Sequence, residues 1–169
     1  MSQKYDFGMI GLGVMRSNLL YNIADHGFSV IGFDLSSEKA QNLEKGAYEG
    51  TKVKGVTAIE EFVSQLSVPR KIMLLVPAGK PVDAVIDNLI PHLEKGDIII
   101  DGGNSHYVDT VRRVKYVSEN GFHFMGMGVS GGEEGARRGP SIMPGGDVEA
   151  FKVVQPILEA VTAKVNGEP

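Results

Sequence analysis

Gly11-Leu12-Gly13 is the segment of this sequence where residue type and spacing first point to chemistry. It follows the apolar run Phe7 to Ile10 and opens a helical pattern, the context in which a glycine turn holds a pyrophosphate. Gly11 permits the tight turn and Gly13 lets the backbone approach the anion. The leading amides of the helix, from Val14 and Met15 onward, point at that anion. Asp34 lies twenty-three positions beyond Gly11, at the end of the second apolar run. A carboxylate there accepts hydrogen bonds from an adenosine ribose and repels a 2′-phosphate. A glycine turn beside a solvated aspartate has the same letters, but the order strand, glycines, helix, strand, acid selects a nucleotide site.

Arg16 breaks the fingerprint, because the third glycine of G-x-G-x-x-G falls at its position. That glycine normally lets the helix pack closely on the sheet. Arg16 either swings outward to pair with pyrophosphate or crowds the helix, and overpacking a close contact costs about 1–3 kcal/mol. From the sequence, crowding and weakened cofactor binding are expected.

The other reactive residue types point to less. There are no cysteines, which excludes disulfides, zinc ribbons and thiol catalysis together. His26, His92, His106 and His123 are scattered without metal-ligand spacing, so no metal site is expected. His26 falls at a helix end, a favourable place for a cation. His106 follows Asn104-Ser105 and can face a ligand mouth, although a structural place is favoured. Glu133-Glu134 resembles an acid/base pair, but adjacent side chains on a turn diverge, and a structural role is expected. Met125, Met127 and Met143 suit a core or a pocket lining. Arg137-Arg138 could reach a phosphate, with a solvated surface pair the favoured reading.

The elements that must position these residues follow from periodicity. Short apolar runs at Phe7 to Ile10, Ser29 to Phe33, Lys71 to Val76, Asp97 to Asp101 and Phe122 to Met127 read as buried strands. Between them, helical spacing covers Met15 to His26, Ser36 to Lys45, Thr57 to Leu66, Pro81 to Leu93 and Val108 to Asn120. A glycine-rich stretch, Gly128 to Gly146, precedes a last helix near Val148 to Val161. Such alternation predicts an α/β fold of Rossmann type: doubly wound, with a mostly parallel sheet and helices on both faces. The 22 glycines are about twice the usual share of roughly 7%, and they cluster at turns. With 169 residues and no internal repeat, one domain spanning 1–169 is expected. Asn166-Gly167-Glu168-Pro169 reads as the start of a linker.

Net charge is −4, with no basic run to attract nucleic acid and no polybasic segment for a membrane surface. No apolar run approaches the roughly 20 residues a membrane span needs. A cytoplasmic protein is expected.

Four stretches carry a resemblance to a known family: Gly11 to Asn18 (GLGVMRSN), Asn22 to Phe28 (NIADHGF), Asp97 to Ser105 (DIIIDGGNS) and Val129 to Gly146 (VSGGEEGARRGPSIMPGG). Together they resemble the coenzyme-binding domain of decarboxylating 6-phosphogluconate dehydrogenases, which oxidise 6-phosphogluconate at C3 and decarboxylate it to ribulose 5-phosphate. The resemblance implies that Asn104 contacts both cofactor and sugar acid. It further implies that Ser130, Gly131 and Gly132 hold the substrate, and that Val76, Pro77 and Ala78 border the cofactor. Elementary chemistry agrees, since Asn104 follows a glycine pair at a strand's carboxyl end, and Ser130-Gly131-Gly132 offers a hydroxyl and open amides. NADP-using members read Asn-Arg-Thr where this sequence has Asp34, Leu35 and Ser36, which favours NAD; Ser36 and Lys39 leave NADP possible. The family's catalytic lysine and glutamate belong to a helical region beyond this domain. No catalytic residue is therefore expected within the chain, and Lys164 and Glu168 are given no such role. The expectation is a domain that binds NAD(P) and 6-phosphogluconate but turns over little alone. Full-length members are homodimers through the helical region, which leaves the oligomeric state of this chain open. Two other readings stay open: a domain of a 3-hydroxyisobutyrate-type dehydrogenase, or a non-enzymatic nucleotide-binding module.

Overall fold

The computed structural model describes residues 4–169. Alternating runs of apolar and amphipathic residues become a layered sheet. The first half reads β1 (Phe7–Ile10), α1 (Val14–Asp25), β2 (Val30–Phe33), α2 (Ser37–Lys45), β3 (Val53–Val56) and α3 (Ile59–Ser64). The second half continues with β4 (Lys71–Leu74), α4 (Lys80–Leu89), β5 (Ile98–Asp101), α5 (Tyr107–Glu119), β6 (His123–Ser130), α6 (Gly132–Arg138), β7 (Ser141–Gly146) and α7 (Val148–Val161). The seven strands lie in the order β3-β2-β1-β4-β5-β6-β7. All neighbours are parallel except β6 and β7.

Helices cover both faces, as the doubly wound pattern requires. One core joins α1 and α7 to the sheet through Met9, Leu20, Met73, Ile100, Met125 and Val154. The other joins α3, α4 and α5 through Ile31, Phe62, Ile72, Leu74, Ile86 and Phe124. Strand order reverses between β1 and β4, so the crevice at their carboxyl ends is the topological switch point where such sheets bind ligands. The Gly11 turn and the segment after β4 flank that crevice.

Two strands and one helix escape the sequence pattern for identifiable reasons. β3 is an edge strand whose Val53-Lys54-Gly55-Val56 offers little apolar alternation, and Gly55 is needed because a Cβ there would strike the Ala40 backbone. β7 is the opposite edge; it is mostly exposed and contains Pro144, which a central strand would not tolerate. α6 lies inside the glycine-rich stretch and has one buried side chain, Ala136. The C-terminal residues also differ from a linker. Asn166 and Gly167 both take positive φ (55° and 87°), and Val165 and Glu168 exchange backbone hydrogen bonds of 2.9 and 3.1 Å. An Asn-Gly pair favours this two-residue turn, and that local signal prevails.

Candidate functional site

The glycine turn is fastened to the second strand. Gly11 has φ +89°, and a Cβ there would lie 3.2 Å from the Leu75 carbonyl oxygen. The Leu12 amide donates to Asp34 Oδ2 at 2.9 Å, so Asp34 braces the turn. That amide is therefore committed, and the free donors are those of the first turn of α1, at Val14, Met15 and Arg16. Asp34 Oδ1 accepts from the Ser36 amide at 3.0 Å, and Lys39 Nζ lies 3.4 Å from Oδ2. Burial pushes the Asp34 carboxyl up, but the Ser36 and Leu12 amides and Lys39 outweigh it and hold the group below the usual carboxylate range. Ser36 Oγ caps α2 by accepting from the Lys39 amide, and Leu35 is exposed.

Arg16 does not wedge between α1 and the sheet. Its side chain folds back over the turn: a Cβ on Gly13 would lie 3.2 Å from Arg16 Nη1, and one on Gly11 would lie 3.7 Å from Arg16 Cδ. Side chains of a helix lean toward its N-terminus, so a residue in the first turn projects over the preceding loop. Among the described residues no carboxylate pairs with Arg16 within 4.0 Å.

Beside Asp34 opens a cleft of about 630 Å³, lined by Phe33, Leu35, Ile59, Val85, Asn88 and His92. Ile59 and Val85 belong to the apolar faces of α3 and α4 and pack against the core as well as lining this cleft, and His92 was given no role from the sequence. The helical period locates a face but does not say where that face overhangs a crevice.

The loops after β4 and β5 meet beside the switch point, on its β4 side. A Cβ on Gly103 would lie 3.1 Å from the Val76 carbonyl oxygen, and one on Gly11 would lie 3.6 Å from Val76 Cγ1. Gly11, Val76 and Gly103 therefore form one line of close approach, with Pro77 and Ala78 continuing it on one side and Asn104 on the other. Asn104 is exposed. Its neighbours are fixed: buried Asp101 accepts from the Gly103 amide at 3.0 Å and from Ser105 Oγ at 2.5 Å. Arg113 Nη1 in turn donates to Ser105 Oγ at 3.2 Å. A second cleft, of about 400 Å³, runs from Asn104 and Ser105 along Gly126 and Gly128 to Met143.

Ser130, Gly131 and Gly132 stand further out, where β6 extends beyond its last pairing with β5 at Asp101 and Gly126. They are exposed, and Gly131 and Gly132 take positive φ (130° and 63°) to start α6. Asn18 and Asn22 donate to the Glu133 and Ala136 carbonyls at 3.1 Å each, seating α6 on α1. Among the described residues no hydrogen bond joins this segment to Asn104.

The remaining candidates settle into structural places. His106 caps α5, with Nδ1 accepting from the Val108 amide, and His26 Nδ1 lies 2.8 Å from the Asn22 carbonyl at the end of α1. Glu134 pairs with Arg138 at 3.2 Å within α6. Arg137 is not a solvated surface residue: it pairs with Asp25 at 2.5 Å and lies 4.8 Å from the Tyr48 ring centroid. Met125 and Met127 are core, whereas Met143 is exposed in the second cleft. Lys164 Nζ donates to the Glu159 carbonyl at 2.6 Å, closing α7.

Comparison with known proteins decides the family. A model of the NAD-binding domain of 6-phosphogluconate dehydrogenase matches residues 6–167. This chain belongs to that family. Among curated relatives, an NADP(+)-dependent decarboxylating 6-phosphogluconate dehydrogenase from Bacillus subtilis is 57% identical over 98% of the chain and 35% of its own length. A 6-phosphogluconate dehydrogenase structure from Plasmodium falciparum, described in apo form and in complexes with NADP+ and with 6-phosphogluconate, superposes with TM-score 0.92. It is 45% identical, covering 97% of this chain and 35% of the other. The chain thus spans about a third of the length of the curated relatives it matches. A 3-hydroxyisobutyrate dehydrogenase from Mycobacterium tuberculosis gives TM-score 0.80 at 22% identity over 96% of this chain and 53% of its own, a likeness of fold alone. The chain is an NAD(P)-binding domain. No helix among its described residues is long and apolar enough to cross a membrane.

Proposed function

We propose that this domain supplies the dinucleotide site, and part of the sugar-acid site, of an enzyme that oxidatively decarboxylates 6-phosphogluconate to ribulose 5-phosphate. The observation that carries the reading is the line of close approach from Gly11 through Val76 to Gly103, which ends at the exposed amide of Asn104. A Cβ at either glycine would press on the Leu75 or Val76 carbonyl, so glycine lets these turns close up at the carboxyl ends of the strands, an arrangement that suits a dinucleotide. When bound, the dinucleotide accepts the hydride released from C3 of the sugar acid. Asn104 then donates to and accepts from both ligands, while Ser130 and the Gly131 and Gly132 amides hold the carboxylate end. Asp34 takes the adenosine ribose, and the cleft lined by Leu35, Ile59 and Val85 takes the adenine. Arg16, lying over the turn, takes the pyrophosphate.

Proton removal from the C3 hydroxyl and protonation of the enediol need positioned groups. The resemblance assigns these to a lysine and a glutamate outside the 169 residues, so the chain alone binds cofactor with little turnover. NAD is preferred over NADP, because ionised Asp34 faces the ribose and no arginine stands among Asp34, Leu35 and Ser36. Calorimetry of the chain with NAD+ and NADP+ at physiological salt tests both levels. Tighter NAD+ binding is expected. Tighter NADP+ binding overturns the preference, and absence of binding by either overturns the dinucleotide reading. Joining the chain to the remaining length of a curated relative should restore oxidation of 6-phosphogluconate.

A further inference from the structure

Arg113 is fully buried, and the dinucleotide reading leaves it without a task. It is the largest fully buried side chain of the described residues, and its guanidinium reaches four different segments. Nε donates to Asp83 Oδ1 at 2.9 Å, and Nη2 reaches Asp83 Oδ2 at 3.3 Å, so α4 is held through both oxygens of one carboxylate. Nη2 also donates to the Gly79 carbonyl at 3.0 Å, where the segment after β4 turns into α4. Nη1 donates to Ser105 Oγ at 3.2 Å and lies 3.6 Å from Asp101 Oδ2, which itself accepts from Ser105. Removing a charge from water is unfavourable unless it is paired and its donors are met, and here nearly every donor has a partner.

These partners are not scattered. Gly79 ends the segment that begins at Val76, and Ser105 ends the segment that begins at Gly102, two adjoining segments on the β4 side of the switch point. Gly79 has φ +89° with open space around a Cβ, so its glycine serves the backbone turn that presents this carbonyl to Arg113. A planar guanidinium with five donors in a fixed fork is suited to holding two loops at a set distance, as a lysine ammonium is not.

We propose that Arg113 is a positioning residue, holding the Val76–Gly79 and Gly102–Ser105 loops in register against each other so that together they take the nicotinamide end of the dinucleotide. The proposal rests on the dinucleotide reading above, and it makes the two halves of the site separable. Asp34 and Leu35 hydrogen-bond to no partner of Arg113, and the adenine cleft meets it only through α4, which carries both Val85 and Asp83; the nicotinamide half depends on it directly.

Arg113→Met, Arg113→Lys and the milder Ser105→Ala are compared with the unmutated chain by two readouts. Amide hydrogen exchange in the ligand-free chain follows Gly103, whose amide donates to Asp101, and Val82, whose amide donates to Gly79. Both should exchange faster together in Arg113→Met and Ser105→Ala, while Leu12, held by Asp34, stays unchanged. Titration with NADH and with ADP forms the second arm. Affinity for NADH should fall roughly tenfold or more, and that for ADP should stay within about twofold. Arg113→Lys should recover part of the loss. Parallel loss for NADH and ADP, or no loss for either, overturns the positioning role while leaving the function proposed above intact. Exchange at Gly103 and Val82 that responds independently overturns it too. Should the unmutated chain bind neither probe, the dinucleotide reading falls first and the positioning role falls with it. Ser105→Ala keeps the test decisive if the Arg113 variants fail to fold.

Discussion

Arg70 and Arg113 are both buried, both hold carboxylates, and sit at opposite ends of β4 and β5. Arg70 precedes β4 and donates to Asp97 Oδ2 at 2.8 Å, to Glu94 at 2.9 Å and to the Val63 carbonyl at 3.0 Å. Asp97 also accepts from the Arg70 and Glu94 amides, at 2.7 and 2.9 Å. Every partner there belongs to the frame: the end of α3 and the start of β5. Arg113 stands at the carboxyl ends, and its partners begin or end the loops that line the crevice. The chemistry is the same at both ends, but parallel strands give the ends different work. Ligands bind outside the carboxyl ends, so a charge cluster at the amino ends can only secure the sheet. Burial and pairing of an arginine therefore do not reveal its role; the end of the sheet it occupies does.

The largest effect should come from the end remote from the ligand. Arg70→Met leaves Asp97 buried without its charged partner, and breaking such a pair costs about 3–5 kcal/mol. For a domain of this size that lowers Tm by roughly 10 °C or more. The ratio of NADH to ADP affinity in the folded protein should not change. A fall in that ratio would show that the amino ends also govern the site, and the division between the two ends would fail. Arg113→Met also leaves a buried carboxylate, Asp101, without its charged neighbour and should lower Tm too, but it should in addition lower the ratio of NADH to ADP affinity, which Arg70→Met leaves unchanged.

Of the groups at the carboxyl ends, the sequence made one half legible and not the other. Gly11, Gly13 and Asp34 declare themselves because a pyrophosphate turn needs them at fixed offsets along one βαβ unit. The strands β1, β2, β4, β5 and β6 declare themselves by apolar runs that burial on both faces demands. Arg113 does not, since it lies beside Arg112 on an otherwise ordinary polar helix. Arg112 is exposed and pairs with Asp83 at 3.0 Å, so two adjacent arginines share one carboxylate and differ only in depth. Depth depends on how α5 is rotated against α4, which is a tertiary property. One local hint existed: Arg113 is placed where the helical stripe through Val117 calls for an apolar residue. Edge strands β3 and β7 were lost for the opposite reason, because half-exposed strands need no apolar run. Arg16 was legible as an anomaly, but its direction was not. The lean of helical side chains toward the N-terminus carries it over the turn instead of into the sheet.

That direction gives the next effect in size. If Arg16 lies over the pyrophosphate, Arg16→Gly should weaken NADH and ADP equally, by about tenfold, or roughly 1.4 kcal/mol. Equal loss is the point of contrast with Arg113, whose variants should weaken NADH alone. The Arg16 loss should shrink as salt is raised, because the guanidinium is half exposed. Tighter binding by the glycine variant would show instead that Arg16 obstructs the turn.

The smallest effect tests whether the carboxyl-end cluster stabilises the fold by charge at all. Asp83 is held below the usual carboxylate range chiefly by its hydrogen bonds to Arg113, against a smaller upward push from burial, with Arg112 adding to the lowering. A depressed folded value means stability that is fully present above the unfolded value of 3.8 and lost as pH falls through the folded one. With its side chain about a third exposed (33%), the carboxylate should contribute no more than about 1 kcal/mol. Asp83→Asn should therefore lower stability slightly at pH 7, and the gap to the unmutated chain should start to close as pH falls past 3.8 and vanish only below the folded value, where Asp83 too is neutral. A gap that persists unchanged in acid would mean that shape and hydrogen bonding, rather than charge, join α4 to α5. Arg113 would then hold the loops as a geometric fork, and the two ends of the sheet would differ in the kind of force they use as well as in what they hold.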